Sequence, residues 1–134
     1  MSLKYKIIKE QKLVYVVGEG TLTYEDLVDH LTELSGNPAY IPPMLKLVDY
    51  RNLSHVTLTS KQSEKLAELK YFYRNQFDKE KFALVVSSDL VFGIGRQHQA
   101  YMYDSKMEVE IFKDFEKAKE WLGIQINEAQ LDLS

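Results

Sequence analysis

Two hydroxyls could carry a phosphate or grip an anion. They are Thr59 and Ser60, in the stretch Leu58-Thr59-Ser60-Lys61-Gln62, which reads as the start of a helix. A phosphate there would meet unpaired backbone N–H groups and the positive end of the helix dipole. The same residues are ordinary N-caps, and Gln62 stands where it completes a capping box with Thr59. A second polar set, Asp49, Arg51, Ser87 and Ser88, follows two apolar runs that read as strands. Ligands of open α/β sheets gather outside the carboxyl ends of parallel strands. These residues, with Tyr50, Asp89, Thr59 and Ser60, would then form one rim able to hold a small anion or a partner loop. The plainer alternative is that Asp49 pairs with Arg51 or a helix N-terminus, and that the serines cap the following helix.

Phe92-Gly93-Ile94-Gly95-Arg96 places two glycines inside a helical run. An interior glycine costs about 1 kcal/mol relative to alanine. The pair therefore implies tight packing against a neighbouring element, or a pocket or interface against Phe92 and Ile94. It is not a phosphate loop, because no third glycine follows Gln97 and His98 and the segment lies within a helix. The chain has nine tyrosines. Tyr71, Phe72 and Tyr73 are consecutive and must point to different sides of a helix. With Tyr101 and Tyr103 they are candidates for an exposed aromatic surface facing a partner or apolar ligand; tyrosines lying flat with wet hydroxyls are the alternative. The histidines do not form a set. His30 has Asp26 and Glu33 on neighbouring helix positions, but a solvated face is the simpler expectation than a metal site. His55 and His98 have no nucleophile nearby in sequence, and no nucleophile elbow is present. Nothing assembles an acid, a base and a nucleophile, so the expectation is a non-enzyme without metal or cofactor.

The 134 residues suit one domain with a core of its own, and 45% apolar with 28% charged residues is the composition of a globule. The net charge of −3 makes nucleic acid a poor default partner. The absence of cysteine excludes disulfides, thiolate chemistry and cysteine-bound zinc. No run approaches the ~20 apolar residues of a membrane helix, and Met1 to Lys6 lacks the apolar core of a signal peptide. A cytoplasmic location is expected.

The elements that would position these residues follow from periodicity. Alternation at Lys4 to Ile7 and the β-branched run Leu13 to Val17 predict an antiparallel hairpin, broken afterwards by Gly18 and Gly20. Thr23 and Asp26 predict a capping box, with Leu22 and Leu27 as a staple, for a helix burying Leu27, Leu31 and Leu34 and ending at Gly36. Asn37 to Pro43 reads as a loop. Met44 to Tyr50 reads as a strand buried on both faces, followed by a loop from Arg51 to Leu58. A second helix is expected from Thr59 or Ser60 to about Phe77, burying Leu66, Leu69, Tyr73 and Phe77. Then come a buried strand at Phe82 to Val86 and a helix from Ser87-Ser88-Asp89 to near Tyr103. A half-exposed edge strand follows at Met107 to Ile111, and then a helix capped by Asp114 and ended by Gly123. The order β-β-α-β-α-β-α-β-α predicts an α/β fold with a mixed, mainly parallel five-stranded sheet.

Several segments carry a family likeness. They are Leu47-Val48-Asp49, Ala83-Leu84-Val85-Val86, Phe92-Gly93-Ile94-Gly95-Arg96, and Ile111-Phe112-Lys113-Asp114 with Ala118 and Trp121-Leu122. In this order they resemble the STAS family, the anti-sigma-factor-antagonist fold also found at the ends of sulfate transporters, and its stand-alone bacterial, lipid-binding-like branch. The resemblance covers roughly residues 4–123, so one domain over 1–123 is expected, and the weak apolar spacing of 124–134 reads as a loose tail. The resemblance implies a non-catalytic regulatory or protein-interaction module, or else a carrier or sensor of a small apolar or anionic ligand. Regulatory members carry a phosphorylated serine in an Asp-Ser-Ser-Gly-like motif after the third strand. At the matching place Ser60 alone fits, with Thr59 in the aspartate's position and no glycine afterwards. A homodimer is the expected assembly, symmetric dimers being the commonest.

Overall fold

The computed structural model describes residues 3–72, 79–102, 107–127 and 129–133, with the backbone alone at 71, 72 and 101. The alternating N-terminal segment forms β1 (Leu3–Ile8), which pairs antiparallel with β2 (Leu13–Leu22). A single 3-10 turn, Lys9–Gln11, joins them and is closed by Lys12 at φ 50°. The glycines do not end β2. The strand runs through them to Leu22, with shifts of register after Val17 and after Gly20. Such irregularities let a strand bend and keep pairing. Gly18 also makes room for a neighbour, since a Cβ there would stand 2.8 Å from the Tyr50 ring.

Helix α1 (Tyr24–Ser35) begins with the expected capping box. Thr23 Oγ1 accepts from Asp26 N–H at 3.1 Å, and Asp26 accepts from Thr23 N–H at the same distance. Its buried stripe is Leu27, Leu31 and Leu34. Gly36 ends the helix at φ −91°, without the left-handed conformation common at such glycines.

Strand β3 (Leu45–Val56) is longer than its apolar run. Residues 51–56, expected as a loop, continue the strand because β2 also continues and pairs with it in parallel as far as Leu22 opposite Val56. Strand β4 (Lys81–Val85) pairs with β3 only between Lys46–Phe82 and Asp49–Val85. The outer part of β3 thus lies beyond the main sheet and is mostly exposed, which explains its polar sequence. Helix α2 (Ser60–Phe72) precedes β4, α3 (Asp89–Tyr101) follows it, and β5 (Glu108–Phe112) forms the far edge. Helix α4 (Phe115–Leu122) is capped by Asp114 and ended by Gly123 at φ 70°, a conformation that glycine adopts without strain.

The five strands lie in the order of the sequence, β1-β2-β3-β4-β5, with the first pair antiparallel and the rest parallel. This is the predicted mixed sheet. Side chains alternate across it and build two cores. Val14, Val16, Val48, Leu84 and Val86 face one way and meet α1 and α2 through Leu31, Leu34, Leu66 and Ala67. Helix α3 packs on that same face, where Gly95 lies against Leu84 and Ile111. Leu13, Tyr15, Leu47, Ala83 and Val85 face the other way and meet Ala118 and Leu122 of α4.

Described residues after Gly123 touch the second core. Ile124 is buried, and Ile126, Leu131 and Leu133 pack against the second core. Gln11 donates to the Gln125 carbonyl at 3.0 Å. Their weak apolar spacing belongs to a segment that covers the sheet face α4 leaves bare.

Candidate functional site

The polar residues expected as one rim form two separate groups. Asp49 is buried at the end of the inner half of β3. Arg51 reaches back to it with a two-pronged ion pair, Nε to Oδ1 at 2.9 Å and Nη2 to Oδ2 at 2.8 Å. The Arg51 N–H adds a third bond to Oδ1 at 3.1 Å. Hydrogen bonding to Asp49 raises the guanidinium pKa further. The Arg51 carbonyl accepts from the Ser87 hydroxyl at 2.9 Å, and the guanidinium lies 4.5 Å from the Phe115 ring of α4. This group therefore sits toward the α4 face.

The second group joins α2 to α3. Thr59 and Gln62 form the reciprocal capping box, at 3.0 and 3.1 Å. Ser60 Oγ accepts from Gln97 Nε2 at 3.1 Å. Ser88, beside Ser87 of the first group, caps α3 by accepting from Val91 N–H at 3.2 Å. Among the described residues no hydrogen bond links Asp49, Arg51 or Ser87 to Thr59 or Ser60.

The two glycines of α3 differ. A Cβ at Gly95 would stand 3.0 Å from both Leu84 and Ile111, so this glycine lets the helix lie close on the sheet. Gly93 faces open space. Phe92 is half-buried against the first core and lies between two cations, with Lys113 5.4 Å and Arg96 5.6 Å from its ring centre. Lys113 also pairs with Asp89. Tyr73 lies outside the described residues, as do the side chains of Tyr71 and Tyr101.

The most unusual chemistry is inside the molecule. Lys46 and Lys70 are 4% and 7% exposed, and Glu80 is 1% exposed. Glu80 accepts from the Tyr40 hydroxyl at 2.6 Å and from Met44 N–H at 2.7 Å, and it pairs with Lys46 at 2.8 Å. A buried carboxylate needs such partners to remain charged. Lys70 has no such carboxylate among the described residues. Its Nζ lies 2.8 Å from His98 Nε2 and 4.7 Å from the Phe82 ring centre. Burial pulls Lys70 down to about 7, the charge of Lys46 pushes the same way, and Glu80 opposes them. Burial also holds His98 well below the usual histidine value, with Lys70 adding to the effect. If Lys70 donates to Nε2, the His98 proton is on Nδ1, and Nδ1 is enclosed without a partner among the described residues.

His30 belongs to this interior and not to a solvated face. Its ring meets Tyr5 edge-on at 5.3 Å, and its pKa falls to about 4 through burial, then through Lys46 and Lys70.

Lys70 and His98 line a cavity of about 70 Å³ between α2, α3 and the sheet, whose other walls are nearly all apolar: Leu22, Leu66, Phe82, Leu84 and Val91 are examples. A neighbouring pocket of about 40 Å³ shares Leu27, Tyr50, Leu66, Lys70 and Phe82 with it and reaches His30 and Lys46. The arrangement can hold an apolar body and present a hydrogen-bond donor to one end of it. Sequence reasoning named Ile94 and Gly95, which line this cavity, and missed Lys70 and His98, although a signal exists. Ser63, Leu66, Ala67 and Lys70 share one helical stripe, as do Val91, Ile94, Gly95 and His98. Lys70 and His98 thus continue rows of inward-facing residues.

Among the described residues, no three histidine, aspartate or glutamate side chains converge as metal ligands, and no helix is long and apolar enough to cross a membrane.

No protein-family model matches the chain, and no curated protein matches it. Four solved chains do. One is an uncharacterized protein of the DUF3478 family with a SpoIIAA-like fold from Shewanella loihica PV-4. It is 20% identical, the match covers 90% of this chain and 94% of that one, and the TM-score is 0.57. The class of protein defined here is therefore an α/β domain of SpoIIAA-like, that is STAS-like, fold. The fold implied by the sequence resemblance is the fold found.

Proposed function

We propose that the chain is a non-catalytic carrier or sensor of a small ligand with an apolar body, held between the sheet and the pair α2 and α3. The observation that supports this reading is the cavity of about 70 Å³, lined mostly by apolar side chains, with Lys70 and His98 among its few polar residues. Sites for drug-sized ligands run from about 300 Å³ upward, so a larger ligand needs α2 and α3 to move apart. Native mass spectrometry on protein purified from its host tests the reading. The expected spectrum carries the added mass of a small organic molecule, which is lost on denaturation. Replacing Leu66, on the cavity wall, with tryptophan should remove that mass while circular dichroism stays native. A ligand-free spectrum from host-purified protein, with no mass gained on adding short fatty acids and alcohols, would reject it.

A second reading, a regulatory protein-interaction module, has its own observation. Leu90 is 72% exposed in the first turn of α3, next to the Ser88 cap. Ser60, at the start of α2, is tied to Gln97 of α3, two turns beyond Leu90. A phosphate on Ser60 would break that bond and change how the two helices meet. On this reading a dimer, weakened by Leu90→Ser, is the expected state in solution, and analytical ultracentrifugation measures it. A monomer at all concentrations would count against self-association.

A further inference from the structure

We propose that the cavity under α2 and α3 takes a short apolar monocarboxylate, with its carboxylate seated on Lys70 Nζ, its chain among Leu66, Leu84 and Val91, and His98 positioning the amine. This inference rests on the carrier reading and names the chemistry of its ligand.

The groups that face Lys70 come from every element around it: His98 from α3, Lys46 from β3, His30 from α1, and Glu80 from the start of β4. Burial keeps both histidines neutral and Lys46 is matched by Glu80, so Lys70 is the cation left without a carboxylate among the described residues. Glu80 is already engaged by Tyr40, Met44 and Lys46. An ammonium has three N–H donors, and among the described residues the neighbours of Lys70 Nζ are one imidazole nitrogen and the face of Phe82. The interior on this side of the sheet is therefore complementary to one more negative charge.

The walls select the kind of anion. A phosphate or sulfate would leave several oxygens against leucine and valine without donors, and unsatisfied buried oxygens are costly. A monocarboxylate confines its charge to one end and leaves an apolar body for the rest of the cavity. Size selects the length. The cavity of about 70 Å³ is smaller than the roughly 150 Å³ cavity that accepts benzene. The closed form suits a short chain, which can extend into the adjoining pocket of about 40 Å³.

Protons report the event. Free Lys70 is near half-protonated at neutral pH, since burial brings it to about 7. A bound carboxylate favours the charged form, so binding draws a proton onto Lys70. Affinity then weakens with rising pH, by about tenfold per pH unit once the free amine is mostly neutral.

The experiment is calorimetry with straight-chain carboxylates from butyrate to octanoate and with the matched alcohols. It is run at about pH 6 and about pH 8.5, on either side of the Lys70 midpoint, in buffers of different ionisation enthalpy. Expected results are tighter binding of carboxylates than alcohols at the lower pH, proton uptake, and weakening by roughly tenfold or more at the higher pH. Lys70→Met should keep alcohol binding and lose the preference for carboxylates; Lys70→Gln is the second variant should the first fail to fold. Equal affinity for acid and alcohol, or carboxylate binding unchanged in both Lys70 variants, overturns the head-group assignment and leaves the carrier reading standing. Failure of both series to bind overturns the inference and the carrier reading together.

Discussion

At the scale of single residues, the buried charges dominate. Glu80 is held by three groups, so neutralising it strands Lys46 in the core. Glu80→Gln should cost roughly 3 kcal/mol in urea unfolding. Lys70 behaves in the opposite way, because its folded value of about 7 lies below its ordinary 10.5. The unfolded chain keeps that proton better between these values. Stability should therefore climb from about pH 7 toward 10.5, carrying the full penalty of the buried charge below 7. The size of the climb is roughly a few kcal/mol. Lys70→Met should be more stable than the native protein at neutral pH and should lack the climb, as urea midpoints measured across pH will show. His30 repeats the pattern lower on the scale. With a folded value of about 4 against 6.5, it makes the protein lose stability as pH falls from 6.5 to 4. These sites were hard to read because a lysine in a sequence ordinarily marks the surface. Only the position of Lys46 within Leu45-Lys46-Leu47-Val48, and of Lys70 one turn after Leu66, says otherwise.

At the scale of elements, local chemistry reads well where a cap or a period is at stake. Thr23 with Asp26, Thr59 with Gln62, Asp114 and Gly123 each stand at a helix end as their residue types require. The outer half of β3 could not be read in this way, because Asn52 to Val56 owes its conformation to pairing with β2 and not to its own composition. The two glycines of α3 give a test of helix against packing. Alanine gains about 1 kcal/mol over glycine in a helix interior. Gly93→Ala, with open space around it, should show that gain. Gly95→Ala gains the same helix preference but crowds Leu84 and Ile111, so it should fall clearly below Gly93→Ala in melting temperature.

At the scale of the whole molecule, one sheet carries two unequal covers, three helices on one face and α4 with the residues after Gly123 on the other. Burial of a side chain such as Ile124 is worth about 1.5–3 kcal/mol. A chain ending at Gly123 should thus unfold at lower denaturant by several kcal/mol, roughly the sum for Ile124 and part of that for Ile126, Leu131 and Leu133. Alternating strands and helices made the sheet legible; the role of the last residues was not, because four apolar side chains at irregular spacing match no single period.

The strand order has a consequence for synthesis of the chain. Each strand pairs with the one made just before it, so no strand must be inserted between two earlier neighbours. A sheet paired in the order of synthesis can begin to form while the ribosome is still adding residues. The face bearing Leu13, Tyr15, Leu47, Ala83 and Val85 receives its cover only when residues 115–133 emerge. Until then a nascent chain with an almost complete sheet displays one greasy side, the surface that a holding chaperone would engage and that the last residues made would release.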